Sequence, residues 1–357
     1  MPTLKQIARH ARTSVTTVSL VLNGRDGEHR ISAATTRQVQ ESARLLGYTP
    51  NLVARRLRSA TGPPPLTIGM LLPEDERLTI TVRAVGTIRE TLDAWAAERG
   101  LESPDLLIET FQGGRLAEIR SLRSNARYNG AIIFSTFPED DRYLGESGPL
   151  AVPLVLVQRS VEGHGWVNVD NHQVGGRVAD HLLGLGHERF GVVAADVPGA
   201  ALDDRRDGFL ARLRERAGIV VPEERIVHGA FSEAGGAAAT ERVLGAAGAE
   251  LAAFPSALYV TADLMAVGVL HALKRGGLRV PADVSVVGTD NDPYAAFMDP
   301  PLTTVDIART ESAQLATRAL LDRVSGLVTG PETHRLDSRL IDRASAATVG
   351  RADTETC

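Results

Sequence analysis

The chain has 357 residues, of which 43% are hydrophobic and 23% charged, so it can bury a sizeable core and is long enough for two or three compact units. Its single cysteine, Cys357, excludes an intrachain disulfide and a cysteine-based metal site, and no stretch approaches the ~18 apolar residues of a membrane span. The net charge of −5 hides an asymmetry: residues 1–60 carry ten basic and three acidic side chains, and the remainder 29 and 41. A basic head on an acidic body points to a polyanion at the head; a solvated basic face is the alternative. The opening MPTLKQIARHARTSV has no apolar signal core, which leads to the expectation of a cytoplasmic protein.

Taken in chain order, Leu4, Ile7, Ala8 and Ala11 recur at helical spacing after Thr3, a natural cap. A second helix is predicted at about Val15–Leu22, capped by Ser14, with Val18, Val21 and Leu22 inward. A third runs from about Ala33 to Leu46, capped by Ser32, with Val39, Ala43 and Leu46 inward. Three short helices with a tight turn, Arg12-Thr13, between the first two form a helix-turn-helix candidate, although small bundles without a DNA partner share the pattern.

The residues are more specific than the pattern. Ile7-Ala8, Ser14, Thr17-Val18-Ser19, Val21-Leu22-Asn23, Thr36-Arg37, Leu46-Gly47-Tyr48, Pro50-Asn51 and Ala54-Arg55 keep one order and spacing over about sixty residues, which closely resembles the DNA-binding headpiece of the LacI family. The resemblance implies operator contacts from Ser14, Val15, Thr16, Thr17, Ser19, Leu20 and Asn23, with Val15, Thr16 and Leu20 facing bases. Two departures stand out. Arg12 occupies a turn position where the family usually has glycine, so it must adopt a positive φ or alter the turn. Leu20 stands where the family often has an arginine able to grip guanine, and leucine cannot donate to O6 or N7.

Next comes TPNLVARRLRS, in which Thr49 can cap and Pro50 suits a first helical position. By resemblance this short segment is a hinge helix ordered on DNA, with Ala54 and Leu57 entering the minor groove and Arg55 beside phosphates. Gly62-Pro63-Pro64-Pro65 is a stiff spacer. The expected domains are thus 1–48 (helix-turn-helix), 49–60 (hinge helix), 61–66 (linker), 67–341 (a two-lobed effector-binding and dimerisation domain) and 342–357 (a disordered tail).

Beyond the spacer, apolar strand-like runs at 66–72, 106–111, 130–134, 153–157, 167–169, 190–194, 225–228, 257–260 and 284–288 alternate with helical stretches at 82–99, 115–126, 172–184, 204–217, 233–247, 263–276 and 309–325. The expected class is therefore α/β: an all-α headpiece plus a two-lobed, doubly wound parallel-sheet sensor. The pieces VNVDN (167–171), HLLGLGHERFGVV (181–193), VPADVSVVGTDN (280–291) and PPLTTV (300–305) resemble the LacI-family sensor, which is similar to periplasmic sugar-binding proteins. That resemblance implies lobe crossings near 159–165, 290–295 and 324–332, with a ligand in the cleft at the strand carboxyl ends.

Asp170, Arg205 and Asp290 match the family's effector-cleft pattern, with Gln173 a lesser candidate. A helix-terminal or interlobe ion pair is the other reading of Arg205 and Asp290, and Asp170 can simply cap a helix. Asp263 reads as an N-cap, and Glu139-Asp140-Asp141 as a solvated loop. Ala262 and Ile307 replace polar or aromatic residues of some sugar-binding relatives. No Walker loop, GxGxxG after a strand, GxSxG or HExxH occurs, and His172 and His181 point about 180° apart on one helix. Neither an enzyme, a cofactor nor a metal is expected. The sequence predicts a homodimeric regulator, in all expectation a repressor, that binds pseudo-palindromic double-stranded operator DNA. A small, sugar-like effector would control it. The alternative is a transport-type sugar-binding protein without a DNA role.

Overall fold

A computed structural model describes residues 4–22, 31–45, 66–75, 77–123, 127–148, 150–197, 199–247 and 254–349. The expected cap Thr3 and the hinge helix, with Asn23, Ala54, Arg55 and Leu57, lie outside them.

The head consists of α1 (Leu4–His10), α2 (Val15–Leu22) and α3 (Ala33–Leu45) around Ile7, Ala8, Ala11, Val18, Val21, Val39 and Ala43. Ser14 Oγ accepts the Thr17 amide at 3.0 Å and Ser32 Oγ the Thr35 amide at 3.2 Å, satisfying helix-start donors as the capping residues predict. Arg12 takes the positive φ, 46°, that its place in the tight turn requires.

The body begins with β1 (Thr67–Pro73), α4 (Leu78–Thr81), α5 (Ala84–Arg99), β2 (Asp105–Phe111), β3 (Gly130–Phe134), α6 (Pro138–Glu146), β4 (Leu154–Val157) and β5 (Gly165–Val169). It continues through α7 (Asn171–Gly184), β6 (Phe190–Ala195), α8 (Ala200–Ala217), β7 (Ile226–Gly229), α9 (Glu233–Ala247), β8 (Ala257–Val260), α10 (Asp263–Arg275) and β9 (Ser285–Asp290). The last elements are β10 (Thr303–Asp306), α11 (Arg309–Val324), β11 (Thr333–Leu336) and β12 (Arg339–Ile341). One six-stranded sheet has the order β11-β5-β4-β3-β1-β2 and the other β12-β10-β9-β8-β6-β7. Every pairing is parallel except β10 with β12. Helices cover both faces, so the inner strands β3, β4, β6, β8 and β9 are buried at every position.

The chain crosses between lobes at 169–171, 307–309 and 336–339, not at the expected places. Residues 158–164 only return from β4 to β5 of one sheet, 291–302 from β9 to β10 of the other, and 325–332 from α11 to β11 within the first lobe. Val174, Val178 and Leu182 of α7 pack with Phe190, Phe209 and Tyr259 of the second lobe. Ala313, Ala316 and Leu320 of α11 pack with Ile68, Ile132 and Val155 of the first. The resemblance implied three crossings but misplaced them, and composition offered no check, because strand-to-strand returns are polar too.

Three further expectations are corrected. Of the helix expected over 115–126, residues 115–123 form 3₁₀ turns at Leu116–Glu118 and Arg120–Arg123 and no α-helix; 124–126 lie outside the described residues. The 139–141 acids open α6, and Asp140 is fully buried, accepting the amides of Phe137, Gly114 and Leu116 at 3.0, 3.0 and 2.9 Å. The described part of the expected tail is packed: Ser345 is buried, its carbonyl accepts the Val286 amide at 2.7 Å, and its hydroxyl donates to the Val286 carbonyl at 2.6 Å. His187 binds the hydroxyls of Ser256 and Ser285 and the Ala347 carbonyl, each at 3.0–3.1 Å. Polar composition disguised a segment held by hydrogen bonds and by Ala346 against the second-lobe core; residues 350–357 lie outside the described ones.

On the second lobe, two helix pairs touch backbone to backbone. A Cβ on Gly175 would stand 1.9 Å from the Arg205 carbonyl oxygen, and one on Gly208 2.0 Å from that of His172. Gly236 and Gly268 play the same part between α9 and α10. Gly208→Ala is expected to destabilise the protein by about 1–3 kcal/mol, because the helices must part. Gly245→Ala, where a Cβ meets nothing within 4 Å, should be neutral or mildly stabilising. Urea unfolding of the two variants measures the difference.

Candidate effector cleft and nucleic-acid interface

In the head, Val18 and Val21 are buried while Val15 and Thr16 on the other face of α2 are exposed, and Leu20 is half-buried. The start of α2 thus offers one branched apolar group and one hydroxyl to an approaching surface. Ser14 and Thr17 are linked to each other, hydroxyl to hydroxyl, at 2.9 Å. Ser19 lies on α2, its side chain outside the described ones. Arg9, Arg12 and Arg37 are exposed on the same small domain.

Between the lobes, the carboxyl ends of the two sheets face each other across a narrow crevice. The first lobe contributes Arg77 after β1, Ser135 after β3, and Gln158 and Arg159 after β4. The second contributes Gly199, Arg205 and Asp290, and Arg309 opens the crossover helix α11. Ser135, Gln158, Asp290, Asn291 and Ala308, all at these strand ends or crossovers, have positive φ of 54, 62, 123, 53 and 53°. Left-handed backbone at non-glycine residues is disfavoured, and here it clusters around the cleft.

Asp290 is the hub. Its Oδ1 accepts Arg205 Nη1 at 3.0 Å and Arg309 Nη2 at 2.9 Å, while its buried Oδ2 has no partner among the described residues. Arg205 also donates Nε to Asn171 Oδ1 and Nη1 to the Thr261 carbonyl, both at 3.0 Å. Burial works against the Arg309 charge, but Asp290, Asp292 and Asp263 outweigh it and hold that guanidinium raised.

The two readings of Arg205 and Asp290 therefore meet: the residues form a buried ion pair, and that pair lies in the cleft wall. Asp170 does not line the cleft; it caps α7 through the Gln173 amide at 3.0 Å and has Arg335 at 3.6 Å. Gln173 is exposed. Asp263 is not the N-cap, which is Ala262. Fully buried, it accepts the Thr304 hydroxyl at 2.7 Å and the Asp292 amide at 2.9 Å, fixing the loop after β9. Burial, then the Asp290 charge, push its carboxyl up to about 7. Among the described residues no group of three or more metal-ligating side chains comes together.

Sequence reasoning missed Arg77, Gln158, Arg159 and Arg309. The available signal was positional: a polar residue directly after an apolar strand, as in PLVLVQR (153–159), sits at the mouth of the crevice.

Removing Asp290 leaves two guanidiniums without their carboxylate, whereas removing Arg205 leaves Asp290 paired with Arg309. Asp290→Ala should cost about 3–5 kcal/mol of stability, Arg205→Ala less, and the double variant less than their sum. Chemical unfolding of the three variants and wild type gives the coupling; strict additivity would show that the pair is not formed.

The chain matches two family models: "Bacterial regulatory proteins, lacI family" over residues 3–51, and "Periplasmic binding protein-like domain" over 179–346. It is 29% identical to the HTH-type transcriptional repressor CytR of Escherichia coli (strain K12), over 96% of each chain. It is likewise 29% identical to the Ribose operon repressor of the same organism, over 97% of this chain and all of that one. Among solved structures it is similar to the transcriptional regulator CelR in complex with cellobiose, with 28% identity, TM-score 0.66, and coverage of 97% of this chain and all of the other. The lac repressor dimer bound to operator shares the fold at TM-score 0.65 and 24% identity, over 97% of this chain and 99% of that one. Head and body alike are similar to the LacI family of bacterial regulatory proteins.

Proposed function

We propose that this protein is a sequence-specific DNA-binding repressor, cytoplasmic and homodimeric, whose operator affinity is set by a small polar molecule held between its lobes. The observation that carries the reading is the joining, in one chain, of a capped helix with an outward Val15-Thr16 edge and a two-lobed cleft walled by a buried ion cluster. A ligand that prefers one lobe arrangement shifts the population of arrangements, and coupling to DNA follows if the operator prefers another. The cellobiose bound to CelR and the ribose named for the Ribose operon repressor make a sugar-like effector the natural class. The transport-type alternative has no use for the head.

The division into head (1–48), hinge (49–60), linker (61–66) and sensor (67–341) belongs to this proposal, as do DNA contacts by Ser14, Thr17, Ser19, Asn23, Ala54, Arg55 and Leu57. So does effector contact by Arg205 and Asp290; Asp170 enters it only as the cap of α7. Two heads in a symmetric dimer call for a pseudo-palindromic operator.

Val15 and Leu20 can make only apolar contacts, best with a thymine methyl, while Thr16 can also hydrogen-bond a base edge. Selection of binding sites from random DNA, with wild type and Leu20→Arg in parallel, tests both the function and the readout. Wild type should enrich a pseudo-palindrome, and the variant should gain guanine at one symmetric pair of positions. Identical motifs would remove Leu20 from the bases; no enrichment by wild type would overturn sequence-specific binding.

A further inference from the structure

The ion cluster at Asp290 occupies one end of the cleft. The other end, on the first lobe, has a different character. Arg159 follows β4 and its side chain is more than nine-tenths buried. Its Nη2 pairs with Asp141, a carboxylate that also accepts the Thr136 hydroxyl at 2.5 Å. Its Nη1 is buried in the cleft wall with no hydrogen-bond partner among the described residues.

Arg77 stands on the same wall. Asp75 takes its Nε and Nη2, at 3.1 and 2.6 Å, and its guanidinium lies over the Phe137 ring, 4.8 Å from the centroid. The remaining Nη1 reaches toward the second lobe, 3.3 Å from where a Cβ of Gly199 would be. Asp204, across the cleft, and then Asp140 add attraction at Arg159 but no hydrogen bond among the described ones.

Burial first, and then the like charge of Arg77, depress the Arg159 guanidinium below its ordinary value, though an arginine stays charged. Each guanidinium has a carboxylate partner, but Arg159 keeps one desolvated donor that no described group meets, and an ionised oxygen meets a guanidinium donor more strongly than a neutral hydroxyl does.

We propose that the molecule held in the cleft carries an oxyanion, a carboxylate or a phosphate, which binds Arg159 Nη1 and Arg77 while its polar body extends toward Arg205 and Asp290. This rests on the effector reading of the cleft and narrows the ligand from a neutral sugar to an acidic or phosphorylated one. Because Arg77 and Arg159 come from the first lobe and Gly199 from the second, such an anion would also draw the two walls together.

The test uses the full chain, first without DNA and then bound to operator. Thermal unfolding and calorimetry are run with inorganic phosphate, malonate and chloride at matched ionic strength, for wild type, Arg159→Gln and Arg159→Lys. Phosphate or malonate should stabilise wild type beyond chloride. Arg159→Gln should weaken that binding about tenfold or more, and Arg159→Lys should retain part of it. If Arg159→Gln does not fold, Arg77→Gln takes its place. Preference for phosphate over malonate assigns a phosphorylated ligand, and the reverse an acid. No stabilisation beyond chloride, or equal stabilisation of wild type and the glutamine variant, overturns the proposal. Operator release by a neutral sugar, unchanged in Arg159→Gln, overturns it while leaving the regulator reading intact. Anion binding with no effect on operator affinity does the opposite.

Discussion

One buried carboxylate, Asp290, ties the body together. It ends β9 in the second lobe, holds Arg205 of α8 and Arg309 of α11, and does so with one oxygen while the other has no partner among the described residues. Arg309 begins the helix that crosses back to the first lobe, and Arg205 holds Asn171, which begins the helix that crossed out of it. Two of the three interlobe connections are therefore anchored at a single charged cluster. Buried charges are tolerated only when paired, so the cluster restricts how the lobes can sit. A ligand that engages the same groups acts on that restriction directly.

The surrounding geometry serves this arrangement. Gly175 and Gly208 let α7 and α8 touch, and the atom that a Cβ on Gly175 would strike is the Arg205 carbonyl oxygen itself. Asp263 fixes the loop after β9 through the Asp292 amide and the Thr304 hydroxyl, and its carboxyl is pushed up to about 7 by burial and by Asp290. Left-handed residues at Ser135, Gln158, Asp290, Asn291 and Ala308 show backbone strain gathered at the same strand ends.

Much of this was legible in the sequence. Period and capping placed α2 and its Ser14 cap, and apolar runs placed β3 and β8 to the residue. Arg205 and Asp290 were found by resemblance, with their ion pair foreseen as the other reading. What composition could not show was which polar turn crosses between lobes, because a return between two strands of one sheet uses the same residues. Nor could it show that Asp140 and Ser345 are buried, since each is held by backbone groups distant in sequence. Arg77 and Arg159 converge only through the sheet order β4-β3-β1.

If cleft and head are coupled through this cluster, the coupling is reciprocal: ligand and operator must alter each other's affinity by one common factor. The direct measurement is a thermodynamic square, with operator affinity determined with and without the cleft ligand and ligand affinity with and without operator. The predicted result is two equal factors of about 5–150-fold, both lost in Asp290→Ala. Two factors of one, with both molecules binding, would contradict the account.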